Sequence, residues 1–408
     1  MVQSETDVLA DRLGRFPADR YPVQHATTQF HLGSVLLQAG ETTRAVAALR
    51  TAREIFSLAG MSLEQAKATM MEGIGLRGMG RLDEAAEAFT AAGRALGSLG
   101  QPAEQGAAVY NLGLVRQDCQ DTDGAQRAWS QAHDLFIAAG HPAQASAAAR
   151  DHGGSLLATG QPRQAEHVLA RALELAEQAR DEAGAGAAAN ALGLAHLAAE
   201  APGPAITALR RALAAFPRSV RPADYAMVKA NLALAHEQAG DPARARLAAR
   251  QALAVPAAAT AVRDLAGQVL SRLPGQPADD LLVVLDSEEP EHWSGVLREE
   301  LLRATDISAE QRRALIRGLL DGILARPATS YDLTERLIQV LLELPPRAYD
   351  RFVDAIVEAC AGRPDEQSDR IRAVISSAMA RFALPQWQRL AASFNTAAAA
   401  AGLPTGWA

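Results

Sequence analysis

Asn111 and Asn231 each carry a carboxamide, which offers a hydrogen-bond donor and an acceptor from one side chain. Arg77 and Arg150 carry planar guanidinium groups that can take a carboxylate through two parallel bonds. Tyr110, Gln117, Asn190 and Glu237 add further polar groups of the same kind. This is chemistry for holding a ligand. Residues for breaking bonds are harder to assemble. His196 and His236 stand one above the other in a forty-residue register and could meet a metal ion, but no third or fourth ligand accompanies them. They read as polar helix positions. Cys119 lies near His133 in sequence, yet a nucleophile and base need a third group to orient them, so Cys119 is expected to be a small core residue at a helix end. No GxxxxGK loop, CxxC pair or HExxH motif occurs, and the Gly-Xaa-Gly steps at Gly73–Gly75 and Gly184–Gly186 follow no strand. We expect a protein that is not an enzyme and carries no cofactor or metal.

The elements that position these residues are written in a repeat. Gly33, Gly73, Gly113, Gly153 and Gly193 recur every 40 residues, and Ala233 fills the sixth slot. Seven residues later stand Gly40, Gly80, Gln120, Gly160, Glu200 and Gly240. Then come Ala45, Ala85, Ala125, Ala165, Ala205 and Ala245, and after them Ala52, Ala92, Ala132, Ala172, Ala212 and Ala252. The first small residue predicts a close crossing midway along a helix A. The second column ends that helix, because glycine tolerates the left-handed conformation at a helix C-terminus. The two alanines lie on helix B, on the face pressed against helix A.

The segments HLGSVLLQAG, NLGLVRQDCQ and NLALAHEQAG, followed by TTRAVAALRTA, TDGAQRAWSQA and PARARLAARQA, resemble the tetratricopeptide repeat family. The resemblance covers roughly residues 26–255. The family unit has about 34 residues, and the extra length here is expected to fall after helix B. The resemblance implies a right-handed, all-α solenoid of helix–turn–helix units whose helices A line a concave groove. On that groove helical periodicity places Phe30 and His31; Met70, Ile74 and Arg77; Tyr110, Asn111 and Gln117; Arg150 and Asp151; Asn190; and Asn231 and Glu237. In related peptide-binding repeats an asparagine at the Asn111 and Asn231 slot can pin an extended backbone. The Lys/Asn carboxylate clamp of chaperone-binding repeats is not matched, so a chaperone tail is not implied.

Composition agrees with a helical binding protein. Of 408 residues 49% are apolar but only 4% aromatic, and alanine, the best helix former, dominates. Period-two apolar runs are lacking, so strands are not expected. The net charge of −7 and the scattered arginines exclude the basic stripe that nucleic-acid binding needs. No apolar run is long enough to span a membrane, the N-terminus does not read as a signal peptide, and two distant cysteines fit a reducing compartment. The expected location is cytoplasmic and the expected partner a protein or peptide.

Residues 1–25 are read as an N-terminal helical cap around Val8, Leu9 and Leu13. Residues 26–273 are read as six repeats and a capping helix carrying Val262, Leu265, Ala266, Val269 and Leu270. Pro274-Gly275-Gln276-Pro277 opens an acidic stretch, 274–291, with Asp279, Asp280, Asp286, Glu288, Glu289 and Glu291, read as a solvated linker. Residues 292–408, with amphipathic stripes from Leu297 to Phe394, are read as a small separate helical domain. Within it Ser308 and Gln311 form a capping box, and the run from Thr334 to Ala359 resembles two helices of caspase-recruitment-type death-fold domains. The leading reading is an adaptor or regulator whose solenoid captures a protein. The alternatives are a peptide- or small-molecule-responsive regulator, or a component of bacterial immune-type signalling through a death-fold-like domain.

Overall fold

Every twentieth residue from Gly40 to Gly160 brings a helix to its end. In the computed structural model, which describes residues 2–274, 280–361 and 363–407, Gly40, Gly60, Gly80, Gly100, Gly140 and Gly160 have φ between 67° and 77°. At the first of these the amide of Glu41 donates to Leu36 O at 2.9 Å and that of Gly40 to Leu37 O at 3.1 Å. The crossed pair satisfies carbonyls that the helix leaves open. Gln120, Arg180 and Glu200 adopt the same left-handed turn without being glycine. Several of the following helices open with proline, whose missing N–H costs nothing there.

The chain forms two compact units, Met1–Ala215 and Phe216–Ala408. The first contains α1 (Val2–Arg15), α2 (Pro22–Gln38), α3 (Thr42–Leu58), α4 (Ser62–Gly78), α5 (Leu82–Ser98) and α6 (Pro102–Asp118). It continues through α7 (Thr122–Ala138), α8 (Pro142–Ala158), α9 (Pro162–Gln178), α10 (Glu182–Ala198) and α11 (Pro202–Ala215). Helices A are α2, α4, α6, α8 and α10; each packs against its helix B, and α4, α6, α8 and α10 pack also against the helix B before them, while α2 packs against α1. The extra length of the unit does not form a longer connection after helix B. It is absorbed into two helices of 17 residues each, so the structural period is half the sequence period.

Packing inside each pair is a reciprocal fit of small against large. A Cβ added at Gly33 would lie 2.5 Å from Leu49, at Gly113 2.6 Å from Trp129, and at Gly153 2.5 Å from Leu169. Phe89 and Leu209 occupy the same place opposite Gly73 and Gly193. These five large side chains, one per repeat, are almost wholly buried, each contributing about 1.5–3 kcal/mol of apolar burial. Both alanine columns are buried throughout the six repeats. At the start, α1 packs on α2 and buries Leu9 but leaves Val8 exposed.

The second unit contains α12 (Pro222–Gln238), α13 (Pro242–Leu253), α14 (Thr260–Arg272), α15 (Asp280–Asp286) and α16 (Trp293–Ala304). After them come α17 (Ala309–Leu324), α18 (Ser330–Glu343), α19 (Pro346–Ala361), α20 (Asp365–Met379) and α21 (Leu384–Ala400). The helices α12 and α13 form the sixth helix pair. There Ala233 replaces the glycine, and position 249, where the other repeats carry a large side chain, is alanine too. The next helix, α14, packs on both and buries Ala266 and Val269. From α16 onward each helix packs chiefly on the one two places along, α16 on α18, α17 on α19, α18 on α20 and α19 on α21. The result is two layers around one core that runs from Leu281 to Trp407. The capping box of Ser308 and Gln311 is present at the start of α17.

The acidic stretch departs from its reading as solvated chain. Gly275–Asp279 lie outside the described residues. Beyond them Asp280 opens α15 and is buried, receiving Arg246 at 2.6 Å and Arg250 at 2.8 Å. Glu288 takes Arg244 at 2.6 Å, and Asp286 takes Arg326. Arginines spread over several later and earlier helices absorb the charge that looked free in the sequence.

Candidate partner-binding surface

In the first unit every helix A is flanked on both sides and keeps one narrow face half-open. Counting from the central glycine, the slots three before and one and four after share that face. They hold Phe30, Ser34 and Leu37 on α2, then Met70, Ile74 and Arg77 on α4, and Tyr110, Leu114 and Gln117 on α6. On α8 they hold Arg150, Gly154 and Leu157, and on α10 the face narrows to Leu194. Apolar side chains rest partly on the core beneath, as Met70 and Ile74 do on the cluster that holds Leu76, Phe89 and Val115.

Polar groups on this face are tied from one helix A to the next. Arg77 donates through Nε to Asp118 at 2.6 Å, and Lys67 lies 3.3 Å from Glu104. The Tyr110 hydroxyl donates to Asp151 at 2.6 Å, while Arg150 reaches the other oxygen of Asp151 at 3.3 Å. Burial first, and then the hydrogen bond to Asp151, push the Tyr110 phenol well above its ordinary range, so it stays a donor. Arg77, Tyr110, Arg150 and Asp151 are thus positioned before any partner arrives. Gln117 is exposed at the end of α6.

The asparagines behave differently from the expectation. Asn111 turns its amide to Ala107 O on its own helix at 2.8 Å and is half-buried. Asn190 is buried, at 6% exposure, and makes internal interactions. In the second unit Asn231 is buried and internally engaged in the same way. Glu237 accepts two bonds from Arg272 of α14, at 2.8 and 2.6 Å. The α12 face is covered further by α16: Lys229 lies 3.2 Å from Glu299 and 5.4 Å from the centre of the Tyr225 ring, and the Tyr225 hydroxyl donates to Glu299. The physical reason is crowding. Asn190 stands in the slot that Tyr110 and Arg150 keep half-open, and Asn231 in the slot of Asn111, so their depth depends on what lies over each helix and not on spacing.

Other sequence candidates find ordinary places. His196 pairs with Glu166 at 3.0 Å, and His236 is buried. Among the described residues no group of three His, Cys, Asp or Glu is arranged to hold a metal ion. Cys119, expected in the core, is exposed, because it caps α6 just ahead of the left-handed turn. Cys360 is buried, and that burial pushes its thiol up to about 11. Two features escaped the sequence reading. Glu72 is buried between α3 and α4 and takes Arg50 at 2.6 Å and Arg53 at 3.4 Å. His133, His152 and His167 share a cavity of about 320 Å³ with Asp134 and Arg171. Desolvation, and then the neighbouring His133, hold His152 below the usual histidine range. A carboxylate 41 residues after Arg77 or Tyr110 was the available signal for the polar ladder, since one repeat plus one residue bridges adjacent helices A.

No family model and no curated protein sequence matches the chain. Among solved structures it is similar to the apo form of RapI, at 12% identity and a TM-score of 0.49, covering 88% of this chain and 99% of that one. It is also similar to BtubC (BKLC) from P. vanneervenii, at 16% identity and a TM-score of 0.46, covering 52% and 90%. A Podosopora anserina putative kinesin light chain with nearly identical TPR-like repeats gives 17% identity and a TM-score of 0.40, covering 46% and 93%. The scores lie below 0.5, so the description of this chain as an all-α protein of tetratricopeptide-like helix–turn–helix repeats rests on its own columns, turns and helix pairs.

Proposed function

We propose that the chain is a protein-binding adaptor or regulator, and that the face of helices A in the first unit holds an extended segment of its partner. One observation carries the reading. The half-open face alternates apolar side chains (Met70, Ile74, Leu114, Leu157) with polar groups already fixed by neighbours (Arg77, Tyr110, Arg150). Preformed polar groups lose little conformational entropy on binding, and partly exposed apolar groups supply the burial. Arg150 is the residue we assign to the partner's backbone carbonyls or carboxylates, and Tyr110, whose proton is committed to Asp151, is assigned to its backbone N–H groups as an acceptor; Asn111, Asn190 and Asn231 serve the packing of their own helices. The recognised class is a peptide segment rather than nucleic acid, since Lys67, Arg77 and Arg150 are each matched by an acidic neighbour. No helix among the described residues is long and apolar enough to cross a membrane.

The test is selection of binding peptides from a random displayed library against the full chain, followed by affinity measurement. Leu114→Asp and Tyr110→Phe should weaken the selected peptides by tenfold or more while helicity is retained. Arg127→Ala, an exposed site on α7, should not. Equal affinity for wild type and both face variants would remove this surface from the recognition mechanism.

A further inference from the structure

Independently of that surface, the second unit carries a half-open cavity of about 350 Å³ whose polar side is formed by Arg250, Glu300, Arg303 and Gln311. Its apolar side is formed by Leu281, Ile307 and Leu315. Two features of this cavity are unusual. The first is charge. Arg246 and Arg250 share the single carboxylate of Asp280, and Arg303 donates twice to Oε1 of Glu300, at 2.9 and 2.6 Å. Three guanidinium groups therefore face two carboxylates. Among the described residues the nearby acids are committed elsewhere: Glu288 to Arg244, Glu299 to Lys229 and Asp306 to Arg218. One positive charge is left beside a low-dielectric cavity, where an unbalanced charge is costly.

The second feature is hydrogen bonding. Glu300 is 1% exposed, and among the described residues its Oε2 has no hydrogen-bond partner. The Nε of Arg250 has none either. Buried polar atoms are nearly always paired. The cavity thus lacks one anion on its arginine side and one N–H donor on its glutamate side, and it has an aliphatic wall between.

We propose that the cavity binds a free aliphatic α-amino acid. The carboxylate lies toward Arg250 and Arg303, the ammonium group toward Glu300, and the side chain against Leu281, Ile307 and Leu315. The volume sits at the low end for ligand pockets and suits one residue rather than a peptide. Gln311 and Ala314 are exposed members of the lining and mark the side open to solvent.

Isothermal titration calorimetry on the full chain tests this with L-leucine, L-leucinamide and 4-methylpentanoate. Leucine should bind, and the analogues lacking the carboxylate or the ammonium group should each bind at least tenfold more weakly. Ala314→Trp, which fills the mouth from an exposed position, should abolish leucine binding with helicity intact. Glu300→Gln should weaken leucine at least tenfold while leaving 4-methylpentanoate unchanged. Absence of any heat with leucine, isoleucine, valine and methionine at millimolar concentration would overturn the proposal. So would equal binding of 4-methylpentanoate and leucine, or unchanged leucine binding by Ala314→Trp.

Discussion

Gly153 and Gly154 are adjacent on α8, and replacing each by alanine separates helix propensity from packing. Both substitutions gain the same intrinsic preference, about 1 kcal/mol for glycine to alanine in a helix interior. At Gly154 a new Cβ meets nothing within 4 Å, so that gain should appear nearly whole. At Gly153 the Cβ would lie 2.5 Å from Leu169 Cγ and 2.6 Å from its Cδ2. Carbon atoms prefer about 3.5–4.0 Å, so Leu169 would have to retreat by roughly an ångström. Leu169 is fully buried on α9 with Leu156, Ala165 and Leu192 around it. Overpacking of this kind costs about 1–3 kcal/mol. Gly153→Ala should therefore fall about 1–3 kcal/mol below Gly154→Ala in stability. Urea titration followed by far-ultraviolet circular dichroism, read at the transition of the first unit, measures the difference. A double substitution sharpens the case: Leu169→Ala alone should cost about 2–5 kcal/mol, and less when Gly153→Ala supplies a methyl to the vacated space. Equal stabilisation by Gly153→Ala and Gly154→Ala would refute the claim that the glycine column exists to admit a large residue from helix B.

The buried carboxylate of Asp280 holds two guanidinium groups, so Asp280→Ala should destabilise the second unit by about 3–5 kcal/mol in the same titration. Because the buried cluster from Leu281 to Trp407 contains, among the described residues, no side chain of α12–α14, while Val284 and Val296 pack on Ala243 and Leu247 of α13, we expect a cut between residues 274 and 280 to release a C-terminal fragment that stays helical. That fragment should melt below the same helices in the intact chain, as scanning calorimetry would reveal. His152 is held below its unfolded value by desolvation and by His133. Its contribution is complete above about pH 6.5 and is lost as pH falls through the depressed value, because the unfolded chain then binds the extra proton. His152→Gln should flatten the fall in stability on acidification, and an unchanged pH profile would count against this account.

What the sequence determined by itself was the repeat. Three columns of small residues, with a fourth that is glycine at four of its six places, in a constant register require helices that cross closely and turn back, and Gly33 through Gly193 could hardly serve another architecture. Alanine richness and the capping box at Ser308 were equally local, and local propensity is readable in a string. The half-period was missed because Arg180 ends helix B at the same turn where Gly60, Gly100 and Gly140 do, so the left-handed position is masked in composition. Depth, and partners far along the chain, belonged to the tertiary structure. Asn231 and Asn111 occupy the same slot two before the central small residue, and only what packs over each helix decides that one is buried while the other is half-open. Asp280 looked like one acid in a solvated run until α13 brought Arg246 and Arg250 to it. Charges in a sequence carry no record of which distant charge they will meet, and burial in a low-dielectric interior makes that meeting obligatory.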